Sequence, residues 1–116
     1  MKSLEPHIAP SSEYFQYTPS LTAQNTFFYP ICTGDFLYES GYELHRNSFD
    51  SFLLMYISHG SLSLRTQDNT CQVTSGQFIL LDCYVPHEYS TSCGCESLWL
   101  HFDGRQARSY YELIHS

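Results

Sequence analysis

Apolar and polar residues alternate along most of this chain, and glycine, proline, asparagine or serine interrupts the alternation at roughly 8–12-residue intervals. That rhythm belongs to short strands joined by turns. Residues 26–31 (TFFYPI) form the first plausible strand, with Gly34 marking a turn after it, and residues 35–38 (DFLY) a short second one ended by Ser40-Gly41. Tyr42-Glu43-Leu44-His45-Arg46 alternates as a third, half-buried strand before a turn at Asn47-Ser48. Residues 52–57 (FLLMYI) are continuously apolar, as a strand buried on both faces would be, and Gly60 closes them. Residues 61–65 (SLSLR), the polar turn Gln67-Asp68-Asn69 and the return at 70–73 (TCQV) carry a hairpin signature. Ser75-Gly76 turns into residues 77–81 (QFILL), Tyr89 leads on to a turn at Ser92-Cys93-Gly94, and residues 97–102 (SLWLHF) are the last strand.

The ends of the chain depart from this pattern. Residues 1–24 are polar, broken by Pro6, Pro10 and Pro19, and repeat at no structural period, so they read as an arm rather than a core element. Within the arm, Tyr14-Phe15-Gln16-Tyr17 is too apolar for a solvated tail and must pack on its own domain or on a partner. After Asp103-Gly104 good helix formers take over, and Ala107, Tyr110, Tyr111 and Ile114 make an i, i+3, i+4, i+7 stripe. No helix stop precedes Ser116, so a longer protein is expected to continue there. The expected organisation is an arm at 1–24, a barrel at 25–103 and the start of a C-terminal helix at 104–116. Roughly eight short strands separated by turns predict a mainly β fold, a jelly roll or similar barrel.

Composition narrows the function classes. Aromatic residues make up 16% of the chain and charged residues only 15%, a balance that favours strands. A chain of 116 residues can bury one real core but hardly two. Five Lys and Arg against twelve Asp and Glu leave a net charge of −7. So acidic a surface repels phosphate backbones and anionic membranes, and this segment is not expected to contact nucleic acid. Met1-Lys2-Ser3-Leu4-Glu5-Pro6 lacks the apolar core of a signal peptide, and no apolar run approaches the roughly 20 residues that span a bilayer. With five cysteines, an odd number, a cytoplasmic protein with reduced thiols is expected. Cys93-Gly94-Cys95 has no second cysteine pair nearby to complete a metal site. A phosphate loop, a dinucleotide glycine fingerprint and a Gly-x-Ser-x-Gly elbow are all missing.

Candidate chemistry sits in the last strands. Alternation places Trp99 and His101 on one face, with Leu98, Leu100 and Phe102 on the other. The apolar face can pack against an outer sheet or helix, whereas an indole beside an imidazole suits a cavity holding something partly polar. His87 and Tyr89 likewise share a face, with Glu88 opposite. If both strands face one interior, Trp99, His101, His87 and Tyr89 meet there. Such a set suits a sugar-like or aromatic ligand, held by stacking and a few directional hydrogen bonds. The same four residues could equally be core side chains with satisfied polar tips.

Gly76 and His87, eleven positions apart, match the spacing of the second cupin motif, where Asp82, Tyr84 and Thr91 replace its proline, second glycine and asparagine. Gly60 matches the end of the first cupin motif. Counting back from it, the acidic ligand falls on Leu53 and the histidine pair on Asn47 and Phe49. Three of the four metal ligands are therefore replaced, and one imidazole does not retain a first-row metal. The segments FLLMYISHG (52–60), SGQFILLDCYVPHEY (75–89) and LWLHFDG (98–104) resemble, in order and spacing, the N-terminal sensory domain of the arabinose-regulator (AraC/XylS) family of bacterial transcription factors. The matching motifs cover about half of the chain.

That resemblance implies a cupin-type double-stranded β-helix, a jelly-roll barrel with an N-terminal arm and a C-terminal helix, that binds a small effector and dimerises. DNA would be held by two helix-turn-helix units in a separate C-terminal domain. Tyr89 and Trp99 fall on positions lining the sugar pocket of arabinose-type sensors, and His45 falls near a position where an arginine contacts the sugar. The arginine's forked donor set would then be lost and the effector would differ. The arm would fold over the pocket. The expected site is His45, His87, Tyr89, Trp99 and His101, in a domain that is not an enzyme and carries no metal or cofactor. The alternatives are a small metal-dependent cupin isomerase or dioxygenase using His87 and His101, and a carbohydrate-binding jelly roll with no regulatory role.

Overall fold

A computed structural model of the chain describes residues 1–26 and 28–115. In order, the elements are β1 (Glu13–Gln16), α1 (Leu21–Thr26), β2 (Phe28–Tyr38), β3 (Glu43–Arg46), β4 (Phe52–Thr66), β5 (Thr70–Thr74), β6 (Phe78–Asp82), β7 (His87–Ser90), β8 (Cys95–Gly104) and α2 (Ala107–His115). Every strand pair is antiparallel, and the sheet curls into a jelly roll.

Strand β4 joins the two layers. Its residues 52–60 pair with β8, and 52–56 also with β6, whereas residues 61–66 lie between β5 and β7. One layer thus runs β1-β2-β8-β4-β6 and the other β3-β7-β4-β5. The turn expected at Gly60 is instead a corner inside one continuous strand. The register slips between Ile57 and His59, and Gly60 adopts a φ of 79°. A Cβ there would lie 2.3 Å from the Gly94 carbonyl oxygen, so the missing side chain lets two backbones cross.

Gly34, also expected as a turn, lies within β2, and the two strands predicted around it are one strand of 11 residues. A Cβ at Gly34 would stand 2.5 Å from Cζ2 of Trp99, so the glycine exists to admit an indole. Pro30 does not end the strand because the β2–β8 register slips between Pro30 and Cys32, where no N–H is required of it. Phe27, part of the expected first strand, and Ser116 lie outside the described residues.

Leu53, Met55, Ile57, Leu62 and Leu64 of β4 face the core. The segment expected to be buried on both faces is half covered: Leu54 is 37% exposed, while Phe52 is buried beneath Tyr111 of α2 at 5.2 Å between ring centroids. One short helix shields only one end of an outer sheet face. Helix α2 is anchored by the fully buried Ala107 and by Arg108. The Arg108 guanidinium bonds Asp82 at 3.0 Å and lies 5.1 Å from the Phe52 ring centre. Among the described residues no helix is long and apolar enough to cross a membrane.

The arm is built into the sheet. Strand β1 pairs with β2, Ile8 bridges to Tyr38, and Ile8, Ala9 and Ser12 are buried. Of its aromatic patch, Tyr14 packs on Phe36 and Trp99, while Phe15 and Tyr17 stay exposed. The Ser20 hydroxyl accepts the Ala23 N–H at 3.1 Å and caps the short α1, a helix that the unpatterned composition did not announce.

Candidate functional site

The inner faces of the two layers and the underside of the arm line an open cavity of ≈ 600 Å³. Strand β8 presents Trp99 and His101 to it, β7 presents Tyr89, β3 presents Leu44 and Arg46, and the arm adds Lys2, Glu5 and Tyr14. Period-two alternation positions these side chains, since β8 and β7 bury every second residue from Cys95 and His87 onward. Trp99 meets Phe36 edge-on at 5.0 Å and lies nearly parallel to Tyr14 at 6.5 Å, so arm and barrel share one aromatic cluster around it. Its indole Nε1–H is buried without a hydrogen-bond partner.

His101 contributes an uncharged ring. Its Nδ1 lies 2.8 Å from the Ser51 hydroxyl and the ring of Phe49 abuts it edge-on at 4.6 Å. Burial, reinforced by the Arg46 guanidinium and the neighbouring His87, lowers its pKa from 6.5 to about 3. His87 is buried beside the cavity rather than in its lining, and its Nδ1–H donates to the Val85 carbonyl at 2.8 Å. That bond assigns the remaining lone pair to Nε2, which is buried and unpartnered.

His101 is expected to make the fold acid-sensitive. The unfolded ring titrates near 6.5 and the folded one near 3, so the unfolded chain takes up the proton first. Stability from this group is therefore complete above pH 6.5 and falls as the pH drops towards 3, at roughly 1.4 kcal/mol per pH unit within that window. Urea unfolding of His101→Gln should show a flatter decline than wild type just below pH 6.5, before carboxylates titrate. Parallel declines would mean that the folded ring accepts its proton normally.

The structure places His45 outside the cavity. Its side chain is 65% exposed on the outer face of β3, paired with Glu88, because alternation turns it away from its buried neighbour Leu44. Arg46, one residue on, faces inward and lines the cavity. Its guanidinium stacks on Phe49 at 4.5 Å, and Nη1 is buried without a hydrogen-bond partner. An arginine fork is thus present at this wall. The alternation of Tyr42, Leu44 and Arg46 was the signal that could have located it. Outside, His45, Arg65, His87 and Glu88 border a cleft of ≈ 440 Å³ that also touches Arg46.

Three of the proposed site residues, Tyr89, Trp99 and His101, thus share one cavity, with His87 behind it and His45 outside. Phe36, Tyr38, Tyr42 and Phe49 complete the aromatic lining. At the positions matched to cupin metal ligands, Phe49 packs on His101 and Leu53 is buried beside it in register. Among the described residues no three of His, Cys, Asp and Glu are grouped so as to hold a metal.

Solved structures with the same architecture, cupin domains among them, are similar to the chain at low sequence identity. The plu4264 protein of Photorhabdus luminescens is 14% identical with a TM-score of 0.65, covering 100% of this chain and 92% of its own. KdgF from a Halomonas species is 11% identical, TM-score 0.63, covering 93% and 88%. The cupin-2 domain of an XRE-family transcriptional regulator from Enterobacter cloacae is 12% identical, TM-score 0.57, covering 78% and 95%. No curated protein matches in sequence. A family of AraC-like ligand binding domains matches residues 34–116, from the glycine beneath Trp99 through β8 and α2. A jelly roll with an aromatic cavity between barrel and arm accounts structurally for that match, and the chain belongs to the AraC-like ligand binding domain family.

Proposed function

We propose that this domain is the effector-sensing, dimerising part of a cytoplasmic AraC-type transcription regulator, whose DNA contacts come from a separate C-terminal helix-turn-helix domain. It is a receptor rather than an enzyme, and its effector is a small sugar-like or aromatic metabolite bound among Tyr89, Trp99 and His101. One observation carries this reading: a ≈ 600 Å³ cavity lined from both layers and the arm, mainly by aromatic side chains that include Tyr89 and Trp99. A concave, largely aromatic lining with a few polar groups is what a small ligand with a flat apolar body requires.

The signal would leave through the β6–β7 loop. Tyr89 lies on the strand that follows this loop, Arg108 of α2 holds Asp82 at its start, and Tyr84 within it donates to Asp103. A ligand that binds one arrangement of arm, β7 and α2 more tightly than another shifts the population between them. Phe28, Tyr110 and Ile114, exposed beside and on α2, give a second copy an apolar surface to bury.

The test uses the chain's single tryptophan, which sits in the cavity wall. A metabolite panel is screened by thermal shift, because a ligand of the folded state raises Tm, and hits are followed by Trp99 emission. Binding that raises Tm and alters emission supports the proposal; hits that leave emission unchanged would remove the cavity from it. In the full-length protein the same ligand must change DNA affinity. Unchanged affinity would leave a ligand-binding jelly roll without a regulatory role.

A further inference from the structure

We infer that Cys93 and Cys95 form a reversible, hydroperoxide-sensitive dithiol switch whose oxidation loosens the joint between the two sheet layers. Both residues lie outside the cavity lining, so the switch does not depend on the effector assignment. Cys93 is exposed on the turn between β7 and β8, whereas Cys95, the first residue of β8, is only 3% exposed. Gly94 between them has a φ of 91°, which bends the chain out of the extended course that keeps residues i and i+2 apart. The bend brings both thiols to the hydroxyl of Thr91, which hydrogen-bonds each of them. Thr91 is itself fixed: its hydroxyl donates to the Ser61 carbonyl at 2.8 Å and accepts the Gly94 N–H at 2.9 Å.

The two thiols differ as an attacking and a resolving sulfur must. Cys93 Sγ lies 3.3 Å from the Ser61 hydroxyl, a donor that favours the thiolate. Hydrogen bonds, from Ser61 first and then Thr91, hold its pKa below the usual thiol value. Burial pushes the Cys95 thiol up to about 11, so it stays protonated until its partner is oxidised. Cys32 and Cys83 are buried, and burial raises both, the latter to about 12, which leaves Cys71 as the other exposed thiol. The Cys93 thiolate attacks a hydroperoxide: the S–O bond forms, the O–O bond breaks, and the departing alkoxide takes a proton from water. Cys95 then attacks the sulfenic sulfur. The S–S bond forms, the S–O bond breaks, and hydroxide leaves as water with the Cys95 proton. Two electrons pass from the thiols to the peroxide, and an external dithiol restores the pair. Cys95 pairs with Gly60 at the corner of β4 and packs in the core cluster that holds Tyr38 and Tyr42. A bond to Cys93 draws its sulfur outward from that packing, at the point where β4 passes between layers.

The reduced domain is treated with hydrogen peroxide and alkylated with iodoacetamide in urea. Chymotrypsin then releases Cys93 and Cys95 together, apart from Cys71 and Cys83, for mass spectrometry. An unalkylated peptide lighter by two hydrogens should accumulate, revert with dithiothreitol and be absent from Cys93→Ser. Cys95→Ala should stop at the Cys93 sulfenic acid, trapped by dimedone. Should Cys95→Ala fail to fold, the exposed Cys93→Ser variant still decides, since it must leave Cys95 unoxidised. In the native reduced domain Cys93 should be alkylated faster than Cys71, and Ser61→Ala should slow Cys93 by about threefold. The oxidised domain should melt below the reduced one. Disulfides through Cys71, a Cys93 sulfinic acid beside an unoxidised Cys95, or no oxidation of either thiol overturns the inference. So does alkylation of Cys93 no faster than that of Cys71, a rate unchanged in Ser61→Ala, or an equal Tm for the two forms.

Discussion

Replacing Trp99 with alanine is expected to lower stability by about 3–5 kcal/mol and to remove ligand binding from the cavity. The indole is buried and is packed by Tyr14, Phe36 and His101. Its ring also fills the space left by Gly34, which has no side chain to relax into the void. The change therefore leaves a cavity spanning the barrel and the arm strand, and the arm loses its main aromatic anchor. Urea unfolding followed by far-ultraviolet circular dichroism measures the loss without the missing fluorophore. Trp99→Phe separates the two consequences, since it retains most of the packing and removes the Nε1 donor. A loss below about 1 kcal/mol in Trp99→Ala would mean that the indole does not fill this space.

Gly60→Ala should be nearly as damaging, although it adds one methyl group far from the cavity lining. The left-handed backbone at φ 79° costs a residue with a Cβ about 1–2 kcal/mol. The Cβ would also stand 2.3 Å from the Gly94 carbonyl and 2.9 Å from Cys95 Cα, both backbone atoms that cannot rotate away. Overpacking of that kind costs a further 1–3 kcal/mol, roughly. Because β4 passes through this corner from one layer to the other, the strain falls on the joint of both sheets. A denaturation midpoint equal to wild type would show that the corner opens at no cost and that the layers are not rigidly joined there.

Much of the inward face was legible in the sequence. Period two assigned Trp99 and His101 to one side and His87 and Tyr89 to one side, and all four are buried. It equally assigned Tyr42, Leu44 and Arg46 to a common face, yet the family resemblance drew attention to His45, which alternation sends to solvent. The local rule was the more reliable guide, because the side of a pleated strand on which a residue emerges depends only on its parity. The stripe on α2 was equally plain: Ala107 is buried, and Tyr111 lies over Phe52.

Glycines were misleading for a different reason. Gly34 and Gly60 look like the turn-forming Gly41, but one admits an indole and the other a crossing backbone. Nothing within several residues of either announces this, since the contacting groups, Trp99 and Gly94, are 65 and 34 positions away in sequence. The arm is a similar case. Its residues have no period because they take their order from pairing with β2 and from Tyr14 against Trp99. By itself the sequence determined the strand rhythm, the terminal helix and which side chains turn inward, all consequences of short-range backbone geometry. Which inward side chains share one cavity, which of them lack a partner, and what the glycines make room for were decided only by the tertiary structure, because each depends on groups that closure of the barrel brings together.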